Sequence, residues 1–520
     1  MKNKKIFLLL IILFLFTRLY KINFIPSSVY WDEASIGYNA YSVLKTGRDE
    51  WGEFLPLHFR AFGEFKLPVY IYSVIPFVYF LGLNELSLRL PSVFYSFLSL
   101  ILIYLLVKRI FKEEKLALLS SFLFLILPWN FIFSRTGYEA SSGLFFYLLF
   151  IFLWFVFSPL VFDTGKFSLK IFGVMFLLLL PLILSFYSYN SFRIISPLTF
   201  AFLFLAFFFK QSGSLGKKLI FLLLSFIIIG VSSIPIYRLY RFDSGAFRFQ
   251  VLSLEGERKD KLIAFARNYF SHFSFDFLFF GGDRNLRSQM PGFGEIYPLS
   301  LPFLFLGLLK LARKKDFKSL FLIFLFLIAP IPASLTKESP HSLRSILFAF
   351  LMPLAISLGI IDFVAIFKKG KQKMVFNLVC FSYLVFFGIY FLRFLKTYNL
   401  ISALSWQSQY KQVFYDRKDL IRKSEKVVVS ENYAQPYIFA LFYNSYDPKE
   451  FWRSVTYNSY DRWGFSTVHS FDKFVFKKVE DSDLKEGVLV FSDKEMVGQE
   501  RFLVDKILAT DKVAFFVYQK

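Results

Sequence analysis

Apolar runs long enough to cross a lipid bilayer recur from one end of this chain to the other, and no soluble fold absorbs them. A helix needs roughly 20 mostly apolar residues to span a hydrocarbon core of about 30 Å. Runs near that length fall at 5–22, 87–107, 116–133, 141–161, 171–187, 194–209, 218–235, 298–312, 319–335, 343–367 and 374–395. The 520 residues are 56% hydrophobic and include 76 Phe, more apolar surface than a water-facing exterior tolerates without large patches. The chain therefore reads as an α-helical polytopic membrane protein with about 11 transmembrane helices. Its start, "MKNKKIFLLLIILFLF", has the basic head and apolar core of a signal peptide. "TRLYKINFIPSS" follows in place of a small-residue cleavage site, so it reads as a retained first span.

A net charge of +23 raises the question of nucleic acid, but the cations sit mainly in short loops between apolar runs, with no nucleic-acid motif beside them. The single Cys380 excludes a disulfide within the chain, and four scattered His form no ligand set. No cofactor is required by the sequence, and a divalent cation is left open.

One further apolar run, 68–81, decides the topology. Bounded by Pro68 and Gly82, its 14 residues make a helix of about 21 Å, too short to span. If it does not cross, Lys2, Lys4 and Lys5 lie inside, together with Lys108, Arg109, Lys112, Lys115, Lys166, Lys170, Lys210, Lys217 and Lys218. Arg313, Lys314, Lys315, Lys318, Lys368, Lys369, Lys371 and Lys373 join them, as the positive-inside rule asks. This places the protein in the plasma membrane with a cytoplasmic N-terminus. Residues 1–396 form the membrane module and 397–520 an extracytoplasmic C-terminal domain. Within it, residues 425–520 read as a small α/β unit, with "KVVVSENYAQPYIFALFYN" as strand, turn and helix and "GVLVFSD" and "KVAFFVYQ" as further strands.

The polar chemistry gathers on the outer face: the first loop 23–67, the short juxtamembrane helix 68–81, the long loop 236–297, and several tight turns. In "YWDEASIGYNAYSVLKTG", Asp32 and Glu33 stand where the first span leaves the bilayer, at the head of an amphipathic helix along the membrane surface. Its apolar face is Ile36, Ala40, Val43 and Leu44, its polar face Asn39, Ser42 and Lys45, and its C-cap Gly47. Asp32 is either an N-cap or a carboxylate put there for use. "HFRAFGEFKLP" adds His58, Arg60, Glu64 and Lys66, cations suited to a lipid phosphate or to snorkelling. Arg135 and Glu139 stand at helical spacing and either pair with each other or form a second site. Tyr187, Tyr189, Asn190 and Arg193 face headgroups or sugar, or form an aromatic belt. The long loop holds His272, Asp276, Asp283, Arg284 and Arg287, and His341 and Arg344 open a later span.

Two stretches, "WDEASIGYNAY" and "GEFKLPVYIYSVIPFVYFLGLNELSLRLPS", resemble the GT-C glycosyltransferases, in the group of the protein O-mannosyltransferases and the lipid A aminoarabinose transferase. "RTGYEA" matches more weakly, and the likeness covers roughly the first third of the chain. It implies inverting transfer of a hexosyl or pentosyl group from a polyprenyl-phosphate carrier on the outer face. Asp32 would be the general base and Lys66 the phosphate contact, with Glu33 or Glu64 orienting the base or binding acceptor. Arg60, Arg135, Glu139, Tyr189, Arg193, His341 and Arg344 are added as substrate-binding candidates from position and charge. The spacing "EFKLP" departs from the family, whose aminoarabinose transferases run Glu, Lys and Pro together. The acceptor is open among protein, lipid and wall glycan. A transporter or flippase of a lipid-linked glycan is the main alternative, and a receptor acting through its tail is a third. Charges at one interface and no visible repeat favour the enzyme.

Overall fold

The computed structural model describes residues 2–62, 64–163, 169–210, 215–242, 247–460 and 466–520, so Lys166 of the basic set lies outside the described residues. Every apolar run carries a helix. In chain order these include α1 (Lys2–Leu19), α2 (Trp31–Thr46), α3 (Pro68–Leu81), α4 (Glu85–Phe111), α5 (Glu114–Ile126), α6 (Ala140–Asp163), α7 (Leu169–Phe186), α8 (Phe192–Lys210) and α9 (Leu215–Phe242). Helices Ser300–Arg313, Phe348–Ala365 and Lys369–Ser402 follow.

Among the described residues, seven helical stretches are long and apolar enough to cross a membrane: four in α4, α6, α8 and α9, then Phe317–Ser334, Phe348–Ala365 and Lys369–Ser402. Of the other expected spans, α1 has 18 residues but carries four cations, Lys2, Lys4, Lys5 and Arg18, whereas α5 and Ser300–Arg313 are shorter. Run 116–133 is one case: α5 stops after 13 residues because Leu127 precedes Pro128 and turns extended, at ψ 144°. A short 3₁₀ turn over Pro128–Asn130 continues it. Run 68–81 is the 14-residue helix expected, with Pro68 in its first turn and Gly82 after it.

The described chain groups into two compact units. Unit one holds residues 1–20, 92–239 and 249–392. Its helices Ser300–Arg313 and Phe348–Ala365 touch backbone to backbone: a Cβ on Gly307 would overlap the Ala355 carbonyl, and one on Gly359 the Phe303 carbonyl. Small residues permit this approach, as is usual between helices in lipid.

Unit two holds residues 21–91, 240–248 and 393–520. Here α2 and α3 pack together with the tail helix Pro436–Asn444 and a seven-stranded sheet. The sheet is built from β3 (Lys426–Val429), β4 (Thr456–Tyr457), β5 (Val468–Phe471), β6 (Phe474–Phe476), β7 (Val488–Ser492), β8 (Leu503–Ala509) and β9 (Lys512–Gln519). Its order is β4-β5-β6-β3-β7-β9-β8, with β3 parallel to both neighbours and the other pairs antiparallel. Val428, Val490, Met496 and Tyr518 form a small core on the sheet. Gly37 lets α2 meet the tail helix, since a Cβ there would sit 2.6 Å from the Phe442 ring.

The polar face expected of α2 differs from the structure. Asn39 and Ser42 are fully buried and Lys45 alone of that face is exposed. Asn39 is buried because the following loop folds back on it, with Glu50 N–H donating to Asn39 Oδ1 at 3.0 Å. Ser42 hydroxyl donates to the Arg48 carbonyl at 2.7 Å. The helix is held on both sides by protein.

Candidate active site

The first turn of α2 separates its two acids. Successive helical residues point about 100° apart, so Asp32 and Glu33 reach different surroundings. The N-cap position is Tyr30, with extended ψ 170° and no side-chain cap bond. Asp32 lies inside the helix, one residue past its start, and does not cap it.

Glu33 points into the core with 0% exposure, where its Oε2 lies 3.4 Å from Arg89 Nη2. Arg89 also donates to the carbonyls of Ile22 at 2.8 Å, Pro26 at 3.1 Å and Ser28 at 2.6 Å. One guanidinium thus ties the turn leading into α2 to the helix itself. Charge-assisted bonds of this number offset the burial of both charges.

Asp32 instead meets Lys66. A hairpin supplies that lysine: β1 (Phe59–Arg60) pairs antiparallel with β2 (Phe65–Lys66), Phe59 opposite Lys66, and Pro68 then starts α3. Lys66 Nζ donates to Asp32 Oδ1 at 2.5 Å and to Glu64 Oε1 at 2.9 Å. The lysine side chain is 4% exposed, against 26% for Asp32 and 24% for Glu64. Trp31 stacks on Phe62 beside this cluster, with ring centroids 5.4 Å apart, and its backbone N–H donates to Gln407 Oε1 at 2.8 Å. The arrangement is a buried ammonium reached through two partly open carboxylates beside an aromatic wall.

Arg60 does not join it. Adjacent strand residues face opposite sides of a hairpin, and Phe59 shares its side with Lys66. Arg60 lies instead over the Trp51 ring at 4.9 Å and the Tyr460 ring at 5.7 Å.

Sequence reading missed a second acidic group in unit two. Glu50 is fully buried and accepts bonds from Tyr437 hydroxyl at 3.0 Å, Trp51 Nε1 at 3.1 Å and Asn39 Nδ2 at 3.2 Å. Burial, and then the neighbouring Asp49 charge, push its carboxyl up to about 8. Burial pushes Asp49 up to about 6, against the amides of Glu53 and Trp51 that hold its charge. The signal available was "RDEWGEF", an Asx-turn pattern closing with Trp51 and Glu53 N–H on Asp49 Oδ1, both at 2.9 Å.

The remaining candidates belong to unit one. Arg135 is buried and donates to the last carbonyls of α1 and its exit: Thr17 at 2.5 Å, Arg18 at 2.9 Å and Tyr20 at 2.8 Å. Glu139 stands just before α6, where its carbonyl accepts from Gly143 N–H and Ser142 hydroxyl at 3.2 and 2.6 Å. Tyr189 and Arg193 shape the α7–α8 turn, with the Tyr189 carbonyl accepting from Phe192 N–H and Arg193 Nε donating to the Phe186 carbonyl. Ser191 hydroxyl donates to the Arg344 carbonyl at 2.8 Å, which brings this turn to the segment of His341 and Arg344. Arg344 donates to Thr336 hydroxyl and Glu338 Oε2, both at 2.7 Å. His341 Nδ1 lies 3.3 Å from Asp283 Oδ2, an oxygen that also accepts from Ser342 N–H and hydroxyl. Burial alone would raise Asp283, but the hydrogen bond and charge of His341 and the amides of Asn285 and Ser342 hold it at about 2. Among the described residues, no group of three or more His, Cys, Asp or Glu is placed to hold a metal.

A helical module with apolar helices long enough to cross a membrane, followed by a C-terminal sheet domain, is the architecture of the GT-C fold, which is the fold of this chain. No protein-family profile and no curated protein matches the sequence. Solved structures do. ArnT from Cupriavidus metallidurans bound to undecaprenyl phosphate is 10% identical over 98% of this chain and 97% of that one, at a TM-score of 0.55. Its apo state is 13% identical over 84% of each chain, at a TM-score of 0.51. The oligosaccharyltransferase AglB from Archaeoglobus fulgidus, in complex with an inhibitory peptide and a dolichol-phosphate, is 13% identical over 85% of this chain, at a TM-score of 0.50. This chain spans 63% of the length of that AglB chain.

Proposed function

We propose that this protein transfers a sugar from a polyprenyl-phosphate carrier to an acceptor hydroxyl or amine at the outer face of the plasma membrane, with inversion. The observation that carries the reading is the shared grip of Asp32 and Glu64 on the buried Lys66 at the start of α3, in a GT-C fold. The solved ArnT bound to undecaprenyl phosphate supports the carrier class.

In this mechanism Asp32 takes the acceptor proton as the acceptor attacks the anomeric carbon. The bond from that carbon to the phosphate oxygen breaks on the opposite side, and the carrier phosphate leaves with the electron pair. A base must lie within hydrogen-bond reach of the proton it takes, and the 26% exposure of the Asp32 carboxyl allows that approach. Lys66 neutralises charge on the departing phosphate, exchanging a carboxylate for it. Glu64 keeps the ammonium in place during that exchange, and Glu33, through Arg89, orients the first turn of α2. In this reading the tail from about residue 397 lies outside with the first loop, which the placement of the basic loops supports.

The test is purified protein in lipid supplied with polyprenyl-phosphate sugars of several kinds, comparing wild type with Asp32→Asn. Carrier-phosphate release and donor binding are measured together. One donor is turned over by the wild type, whereas the variant binds it without turnover. Equal turnover by both proteins removes Asp32 as the base. Failure of every donor to bind shifts the reading to transport of a lipid-linked glycan.

A further inference from the structure

Unit one carries a groove of about 390 Å³ lined by Leu105, Lys108, Arg109, Lys112, Phe152 and Val156. It shares no residue with the Asp32 cluster and lies at the ends of α4 and α6 that the basic loops place inside. Its two sides are chemically distinct. Leu105, Phe152 and Val156 continue the apolar surface of two helices long enough to cross the bilayer, with Phe152 and Val156 four residues apart on one face of α6. The other side is cationic.

Of those cations, Arg109 is held through its side chain and Lys112 through its backbone. Arg109 donates through Nε and Nη2 to the Phe155 carbonyl at 3.3 and 3.2 Å, which fixes the guanidinium across to α6. Lys112 takes a left-handed φ of 56° and returns its N–H to the Lys108 carbonyl at 2.9 Å, ending α4 on a cation where glycine is the usual residue. Lys108 is shared with Tyr104 hydroxyl and with Glu114 at 3.6 Å. Among the described residues, Arg109 and Lys112 have no carboxylate partner. Elsewhere in this unit Lys310 does have such a partner, Asp362 at 2.5 Å.

We propose that this groove binds an anionic glycerophospholipid. The headgroup phosphate rests on Arg109 and Lys112, and an acyl chain lies along Leu105, Phe152 and Val156. A phosphate offers acceptors to the guanidinium edge that Phe155 leaves open and to the Lys112 ammonium. A free phosphate would use the cations alone, whereas the apolar wall is covered only by a ligand with a hydrocarbon tail. Basic pockets between helices on the inner side of membranes suit such headgroups.

Native mass spectrometry of the full-length protein tests this, with phosphatidylglycerol and phosphatidylcholine of equal chain length titrated in neutral detergent. Wild type favours phosphatidylglycerol, and Arg109→Gln/Lys112→Gln weakens that binding about thirty-fold, as expected for two cations at a lipid surface. Lys368→Gln/Lys369→Gln makes the same charge change elsewhere and leaves the preference intact. Equal loss in both variants, or none in the first, overturns the site. Arg109→Lys/Lys112→Arg restores binding, and failure of this swapped pair in a folded protein also overturns it. Displacement of the lipid by millimolar inorganic phosphate assigns the groove to a free anion instead.

Discussion

Arg135 and Arg193 of unit one and Lys66 of unit two meet different partners. In unit one Arg135 and Arg193 direct their donors to helix-end carbonyls, and Arg344 is held by Thr336 and Glu338. In unit two Lys66 meets two carboxylates, each about a quarter exposed. A charged side chain at a helix end serves by default as a cap, because the last carbonyls have no partner within the helix. Chemistry needs a group that the fold holds without closing. Asp32 is such a group, with one oxygen on Lys66 and the other without a hydrogen bond among the described residues.

Asp32→Asn separates a charge held for structure from one left for chemistry most strongly. General-base removal costs about 10²- to 10⁴-fold in turnover. Thermal stability changes little, because Asp32 does not cap the helix and Glu64 still pairs the buried Lys66. Turnover within threefold of wild type, measured as carrier-phosphate release, would place the base elsewhere, at Glu64 or Glu139.

Next in size is the buried pair behind it. Arg89→Met leaves Glu33 charged at 0% exposure and removes three backbone bonds, so it destabilises unit two by about 3–5 kcal/mol. Chemical unfolding in detergent measures this. Glu33→Gln/Arg89→Met recovers a good part of the loss, since it removes both charges together. No recovery in the double variant would mean that the backbone bonds, not the ion pair, carry the effect.

Glu50 makes the stability of unit two depend on pH. A carboxyl raised from 4.5 to about 8 keeps its proton in the folded state where the unfolded chain has released it. Its contribution to stability is present in full below about 4.5 and is lost as pH rises towards 8, by up to about 1.4 kcal/mol per pH unit. Asp49 adds the same sign between 3.8 and about 6. Glu50→Gln flattens the slope above pH 6, and thermal unfolding across pH 5–8.5 reads it. An unchanged slope assigns the dependence to other groups.

How much of this the chain displayed beforehand varies by region. Each apolar run became a helix, and the 14 residues between Pro68 and Gly82 did so with the bounds read from those two residues. Asp32, Glu64 and Lys66 were each legible as polar residues of the first loop, whereas their meeting at one ammonium is a finding of the structure. Glu50 and Arg89 were not legible, for a physical reason. Their partners, Tyr437 at 387 residues' distance and the Ile22 carbonyl at 67, are set by packing and leave no periodic trace. The same holds for α2, whose polar face looked solvent-bound until Arg48 and Glu50 folded onto it. Local spacing predicts which face a helix has, but only long-range packing decides what covers it.

The smallest effect belongs to Arg60, and it separates position from role. Its place in "HFRAFGEFKLP" suggested a phosphate contact alongside Lys66, whereas its guanidinium lies over Trp51 and Tyr460 on the other side of the hairpin. Arg60→Ala then costs roughly 0.5–1 kcal/mol of stability, the scale of an exposed cation–π contact, and leaves donor affinity unchanged. Lys66→Ala, by contrast, weakens donor binding by about 10- to 100-fold, as loss of a charge-assisted bond to phosphate should. The two variants measured side by side with one lipid-linked donor make the contrast quantitative. Equal losses of affinity would mean that both cations reach the phosphate, and that the hairpin opens when the donor binds.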